Sequence, residues 1–413
     1  VEVPGRFLTI SANGIDFEVL TAGTGDHLAL CLHGFPEHAI SWRRQIPLLV
    51  ELGYRVWAPN QRGYGKTTRP DDVAAYAPEH LLADVAALID ASGARRVTLI
   101  GHDWGAAVAW LFAIRRLRPL ESLVIMNVPH PALFTRALQR SLRQRLKSWY
   151  IAFFQLPELP ERLLGANRAY AIGRAFASAT EKANFPRELI DFYRDRASEP
   201  GAIRAMLAWY RAAARGGMLA QLKLGFPKIA IPTLMIWGEA DVALGKETTY
   251  GTERYVDRLR LQYLPGVSHW VQQDAPERVN AVLRSFLGEE AAREVEVEDA
   301  RSALVVQPPA IRVERHGDVS VVVTSGELDL SVSDLLAERI AAIGDERAVV
   351  SLADCTYLDS TILTVLVKST AAREGRLAVI LPVTHKLRRI FEIANVNHIL
   401  NVVGTLDEAI AFG

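Results

Sequence analysis

Hydrophobic and polar residues alternate near the start of the chain, in Phe7-Leu8-Thr9-Ile10. The pattern breaks at Asn13-Gly14 and resumes through Phe17-Glu18-Val19-Leu20. Alternation on both sides of an Asn-Gly pair predicts a β-hairpin. Short apolar runs follow at residues 27–32, 54–58, 97–100 and 123–126, separated by amphipathic stretches of helical length. Strand and helix in alternation predict a largely parallel sheet with helices on both faces, an α/β fold. From about residue 129 to 225 this rhythm gives way to helix-forming sequence rich in Arg, Ala, Leu and aromatics, which predicts an inserted helical cap. The rhythm returns at 231–237 and 259–264, and a helical pattern over 275–287 closes the domain near residue 288. The core is therefore expected from 1–128 and 226–288, with the cap at 129–225.

Residues 289–302 are charged and nearly free of large apolar groups, which predicts a solvated linker over 289–307. A second, smaller α/β domain is expected at 308–413. Its strands are predicted at 311–316, 319–324, 347–352 and 377–381, and its helices at 332–343, 361–374 and 385–394. No internal repeat relates the two domains.

Composition agrees with more than one core: 413 residues, half of them hydrophobic, exceed what a single domain of about 150 residues uses. Lys plus Arg equals Asp plus Glu at 47 each, so no net field draws in nucleic acid or an anionic membrane. Cys31 and Cys355 lie far apart in apolar runs and are expected as buried free thiols of a reducing compartment. No run approaches the ~18 apolar residues of a membrane span, and the start lacks a basic stretch followed by an apolar one. A cytoplasmic protein is expected. No metal-ligand cluster or phosphate loop is visible, so no metal and no cofactor is expected.

The run ending at Ile100 leads into Gly101-His102-Asp103-Trp104-Gly105 and an Ala-rich helical stretch, 106–114. This is the pattern of a nucleophile elbow with Asp in the place of Ser. A side chain held at a sharp strand-to-helix turn needs small neighbours, and the helix N-terminus favours an anion there. The alternative is that Asp103 only caps the helix. His33-Gly34-Phe35-Pro36 follows the strand at 27–32, where a second oxyanion-hole amide is expected, so the Phe35 and Trp104 N–H groups are the candidate donors. An ordinary turn is the alternative for that segment. His269, in Gly266-Val267-Ser268-His269-Trp270, lies past the last strand of the domain and before its final helix. Asp241 follows the strand at 231–237 and can orient the imidazole. The order nucleophile, acid, base fits the hydrolase class. Glu239 is a rival acid, and the other usual position for the acid, after the strand at 123–126, holds Asn127.

His33-Gly34-Phe35-Pro36-Glu37, Arg62-Gly63-Tyr64-Gly65 and Gly101-His102-Asp103-Trp104-Gly105 resemble the soluble epoxide hydrolase branch of the α/β-hydrolases over residues 5–288. The resemblance implies two cap tyrosines that grip the oxygen of a small-molecule epoxide. The matching positions are Tyr150, in Trp149-Tyr150-Ile151-Ala152-Phe153-Phe154-Gln155, and Tyr210, in Ala208-Trp209-Tyr210-Arg211. A phenol stays protonated at neutral pH and can donate to an alkoxide; lid packing is the alternative role. The implied mechanism forms an ester on Asp103 and hydrolyses it with water activated by His269. Trp149, Phe153, Phe154 and Trp209 suggest an apolar pocket. Haloalkane dehalogenases share the Asp nucleophile but typically carry Asn after His-Gly, where this chain has Phe35. Fluoroacetate dehalogenases usually have Arg at the position of Trp104.

Gly326-Glu327-Leu328-Asp329 and Tyr357-Leu358-Asp359-Ser360-Thr361 resemble STAS domains of anti-sigma-factor antagonists. That resemblance implies a protein partner, a kinase acting on Ser360, or assembly into a homo-oligomer. A phosphate there would sit at a helix N-terminus; capping by Asp359 or Ser360 is the alternative. Ile362 and Thr364 replace glycines usual in the family, and their bulk is expected to obstruct a partner. Two whole-molecule readings stand: an epoxide hydrolase with a regulatory STAS domain, or a ligand sensor whose STAS domain is the output.

Overall fold

A computed structural model describes residues 2–288, 310–344, 347–383, 385, 387–394, 396 and 399–411; the linker expected at 289–307 lies outside them. The chain divides into two compact units, Val1–Val295 and Glu296–Gly413.

The first unit is an eight-stranded sheet in the order β1-β2-β4-β3-β5-β6-β7-β8. Its strands are β1 (Arg6–Ala12), β2 (Ile15–Ala22), β3 (His27–Leu32), β4 (Tyr54–Pro59), β5 (Arg96–His102), β6 (Ser122–Met126), β7 (Thr233–Gly238) and β8 (Leu259–Leu264). The opening alternation forms the antiparallel pair β1 and β2, turned at Asn13 and Gly14, both with positive φ. From β4 to β8 every neighbouring pair is parallel.

The period of two along these strands sorts their side chains onto two faces. Leu28, Leu30, Leu32, Leu99, Leu123, Ile125, Met235 and Trp237 join one hydrophobic cluster. Ala29, Cys31, Ile100, Val124, Met126, Leu234 and Ile236 join the other. Covered on both faces, the central strands read as near-continuous apolar runs. The parallel strands end on the same edge, so β3, β5, β6, β7 and β8 deliver their following loops to one place.

Between β6 and β7 lie the helices Pro131–Arg140, Leu142–Lys147, Trp149–Phe153, Leu159–Ala175, Arg187–Ala197, Ala202–Ala212 and Met218–Lys223. The longest is broken at Ala166–Ala169, where Asn167, Arg168 and Ala169 take positive φ. Buried polar groups fasten the insertion to the sheet. Arg62 makes a two-pronged ion pair with Asp84 at 2.6 and 2.7 Å, and its carbonyl accepts from Trp209 Nε1. Tyr193 Oη bonds Ser41 and donates to Gln273.

The second unit is a five-stranded sheet in the order β13-β12-β11-β10-β9: β9 (Ala310–His316), β10 (Val319–Leu328), β11 (Ala348–Leu358), β12 (Leu377–Ile380) and β13 (Asn401–Val403). Only β9 is antiparallel to its neighbour. The helices Leu330–Ala341, Ser360–Ala372, Arg388–Ile393 and Leu406–Ala411 complete it. The strands β10 and β11 run well past the expected 319–324 and 347–352. Register shifts at Val323/Ser325 and Gly326/Glu327 break the alternation there, so a period-two reading stops early. The strand β13 and the last helix are too short to carry a periodic signal. Cys31 and Cys355 are buried free thiols, and burial pushes both above the usual thiol range.

Candidate active site

Between β5 and the helix Trp104–Arg115 the chain turns through Asp103 at φ 47°, ψ −124°, a conformation L-residues rarely adopt. Close packing makes that turn possible. A Cβ on Gly105 would stand 2.1 Å from the Leu32 carbonyl oxygen, and one on Gly34 would stand 2.3 Å from Asp103 Cβ. Two loops therefore meet with no room for a methyl group between them.

Asp103 occupies the N-cap position, but its side chain makes no capping hydrogen bond. Instead Oδ1 accepts from the Phe35 N–H at 2.7 Å, and Oδ2 lies 3.5 Å from His269 Nε2. His269 Nδ1 meets Asp241 Oδ2 at 2.7 Å. Asp103, His269 and Asp241 thus form one connected line, brought from the ends of β5, β8 and β7. The rival Glu239 is ion-paired with Lys246 at 2.8 Å. Trp104 is the first residue of its helix, where an N–H has no intrahelical acceptor. The loop carrying Phe35 is held by His33: its Nε2 accepts from the Gln61 N–H, which leaves the proton on Nδ1 to donate to the Gly34 carbonyl.

Burial alone would raise the Asp103 pKa, but the hydrogen bond and charge of His269, with the Phe35 amide, outweigh it and hold the carboxyl below its usual range. Asp241 is also lowered: burial opposes ionisation, and the His269 charge with hydrogen bonds from His269, Asn127 and Leu244 overcomes it. Burial would lower His269, yet Asp241 and Asp103 together lift it well above 6.5. The resting constellation is a cation between two anions.

Two supports were not singled out by the sequence reading. Asn127 was noted there only as a missing acid; its Nδ2 donates to Asp241 Oδ2 at 2.7 Å and its Oδ1 accepts from the Gly238 N–H at 2.9 Å. Asp241 Oδ1 accepts from the Ala243 and Leu244 amides, so both oxygens are fixed. Behind His269, His102 Nε2 meets the His269 carbonyl at 2.8 Å and Nδ1 meets Glu37 Oε2 at 2.7 Å. Glu37 Oε1 accepts from Gln272 and Gln273, and its carboxyl is lowered despite burial by the charge of His102 and a hydrogen bond from it. The available signal was polar residues within apolar surroundings, inside or beside the motifs, a signal shared with ordinary caps.

A cavity of about 260 Å³ opens above Asp103 and Trp104, with Tyr150 and Tyr210 in its wall. Burial, then the charge of Asp103, raises the pKa of both phenols, so both stay protonated. Phe35, Trp104 and Phe154 rings pack edge-on against Tyr210 with centroids 5.0 to 5.4 Å away. The rest of the wall is Val128, Pro131, Phe134, Leu138, Ile151 and Leu244, among other small or apolar residues. The expected apolar character holds, but the four aromatics that suggested it do not line the cavity. Trp149 is exposed; Phe154 and Trp209 are buried behind Tyr210 and Arg62.

In the second unit Asp359 caps the helix Ser360–Ala372, its Oδ1 accepting from Thr361 and Ile362 amides at 2.8 and 3.1 Å. The side chain of Ser360 lies outside the described residues. Ile362, expected to obstruct a partner, is instead buried in the core, because the helix turns that position toward the sheet; only Thr364 is exposed.

Residues 30–276 match the family described as alpha/beta hydrolase fold, and residues 311–404 match the family described as Mlab, STAS domain. The AB hydrolase superfamily protein YfhM of Bacillus subtilis is 37% identical over 67% of this chain and 96% of its own length. Mouse epoxide hydrolase 4 is 35% identical over 70% of this chain and 80% of its own. An epoxide hydrolase from Bacillus megaterium, solved with an inhibitor, superposes with a TM-score of 0.63 at 28% identity, covering 68% of this chain and 99% of that one.

Proposed function

The chain belongs to the α/β-hydrolase family, among the epoxide hydrolases, and on that premise we propose that it opens an apolar epoxide to a vicinal diol through an ester on Asp103. The observation that carries this reading is the pairing of an ionised Asp103 with two protonated tyrosines across one apolar cavity.

In the first step a carboxylate oxygen of Asp103 attacks an epoxide carbon, the C–O bond breaks, and Tyr150 and Tyr210 donate to the departing oxygen. The opened oxygen takes a proton from a tyrosine and becomes a hydroxyl, and the proton that His269 gives up through solvent restores the phenol. The negative charge of Asp103 disappears with ester formation. One of the two anions that held His269 protonated is then gone, so its pKa falls and it can serve as a base. It deprotonates a water that attacks the ester carbonyl, Asp241 stabilises the resulting imidazolium, and the oxyanion faces the Phe35 and Trp104 amides. Collapse releases the diol and restores Asp103.

Asp103→Ala should abolish turnover. His269→Gln should let ester formation proceed and stall hydrolysis, so that intact mass shows the enzyme plus one epoxide. Absence of any adduct with a panel of aryl and alkyl epoxides would overturn the scheme. Halide release from haloalkanes without diol formation would favour the dehalogenase reading. The STAS domain we assign to regulation or protein contact. The amides that a phosphate on Ser360 would use are already engaged by Asp359, which weighs against phosphate being held at that helix end.

A further inference from the structure

The helix Leu142–Lys147 and the turn after it are inside out. The residues facing the protein are polar: Gln144 and Ser148 are buried, and Gln144 bonds the Ala243 carbonyl and the Gly245 amide of the Asp241 loop. Large apolar residues face out among the cations: Leu142 is 63%, Leu146 65% and Trp149 64% exposed. Leu142 and Leu146 stand at i and i+4 on one helix, and Trp149 opens the next helix two residues past its end. Exposed apolar residues recur at Leu219 and Leu224, on and just after the helix Met218–Lys223.

Charge is segregated in the same two segments. Residues 131–157 hold five Lys or Arg and no Asp or Glu, and residues 200–238 likewise lack any acid. Arg140, Arg143, Arg145, Arg215 and Lys223 are all exposed there. The even overall balance of 47 against 47 conceals this. Both segments also wall the cavity: Phe134, Leu138, Tyr150 and Ile151 from one, Ala214 and Met218 from the other. Ala214 is exposed while lining the cavity, so the opening reaches the surface between them.

We propose that this face of the insertion docks on an anionic lipid surface, placing the mouth of the cavity against the bilayer. Exposed Leu and Trp flanked by cations, with no acid in either segment, match the requirements of interfacial binding: apolar burial below the headgroups and attraction to anionic lipid. An apolar substrate concentrated in the membrane would then enter the cavity without crossing water. That consequence rests on the epoxide reading; the docking does not.

The test uses the full chain and vesicles of phosphatidylcholine alone or mixed with phosphatidylglycerol, with bound protein read by co-sedimentation. Binding is expected only to the mixed vesicles, weakened by salt. The paired changes Arg145→Glu with Lys223→Glu, and Leu146→Ser with Trp149→Ser, should each lower the vesicle-bound to free ratio about tenfold or more. These side chains are exposed, so the melting temperature should stay at the wild-type value, separating lost docking from lost folding. Equal binding to both vesicle types, or none at low salt, would overturn the proposal. Self-association by light scattering that depends on these residues, without vesicle binding, would assign the face to a second copy and also overturn it. Because the readout is bound protein, failure here is distinct from failure of the diol chemistry.

Discussion

At the scale of residues, the proposed chemistry depends on keeping three kinds of group in different protonation states within one apolar space. Asp103 is held below the usual carboxylate range and the two phenols above theirs. A lowered carboxyl remains ionised as pH falls through about 4, and a raised phenol remains protonated as pH rises through about 10. Single-turnover ester formation should therefore be flat from about pH 5 to 9. In the proposed scheme hydrolysis uses neutral His269, so its rate should fall as pH drops through the pKa that histidine has in the ester form. A burst of ester that grows at low pH is the expected signature in rapid-quench mass spectrometry; identical profiles for the two steps would contradict it. Tyr150→Phe and Tyr210→Phe each remove one donor to the opening oxygen and should slow ester formation on the order of 10²-fold, leaving hydrolysis of a preformed ester little changed. The types and order of these residues were legible in sequence, because Asp at an elbow, a later Asp and a later His are local patterns. The Asn127 clamp was not: its contacts with Asp241 and Gly238 join positions more than a hundred residues apart.

At the scale of elements, the elbow is a steric problem solved by glycine. Gly105 lets the start of the helix press against the end of β3, and a methyl group there would meet backbone, which cannot swing aside. Gly105→Ala should cost about 1–3 kcal/mol or more, seen as a lower denaturation midpoint, and should reduce turnover by displacing Asp103 from the Phe35 amide. An unchanged midpoint would mean that the two segments do not approach so closely. The strands β3 and β8 were readable to the residue because their edges coincide with changes in polarity. The ends of β10 and β11 were not, since bulges shift which face a side chain occupies. The helical insertion was legible as a change of rhythm, but which aromatics line the cavity was not. Trp149 and Tyr150 are neighbours in sequence, yet one faces solvent and the other the cavity, a consequence of which face each short helix buries.

At the scale of the whole molecule, two units each carry their own hydrophobic clusters: the two faces of the eight-stranded sheet in one, and the cluster around Val322, Val350 and Leu366 in the other. Deleting residues 303–413 should therefore leave the first unit folded and removing epoxide at an unchanged kcat, with calorimetry losing one transition and keeping the other. A changed kcat would point to direct control by the STAS domain. The sequence by itself determined the two α/β units and the helical insertion and singled out Asp103, Asp241 and His269 as candidates, because each is written in local periodicity or in a motif of a few residues. Only the tertiary structure decided that Asn127 and Glu37 serve those residues, that Ile362 points inward, and that Leu142, Leu146 and Trp149 point outward. Those outcomes depend on which surfaces meet, and contacts between distant segments leave no periodic trace along the chain. The Asp103 carboxyl shows both sides: its position was given by five consecutive residues, and its charge by groups gathered from the ends of three other strands.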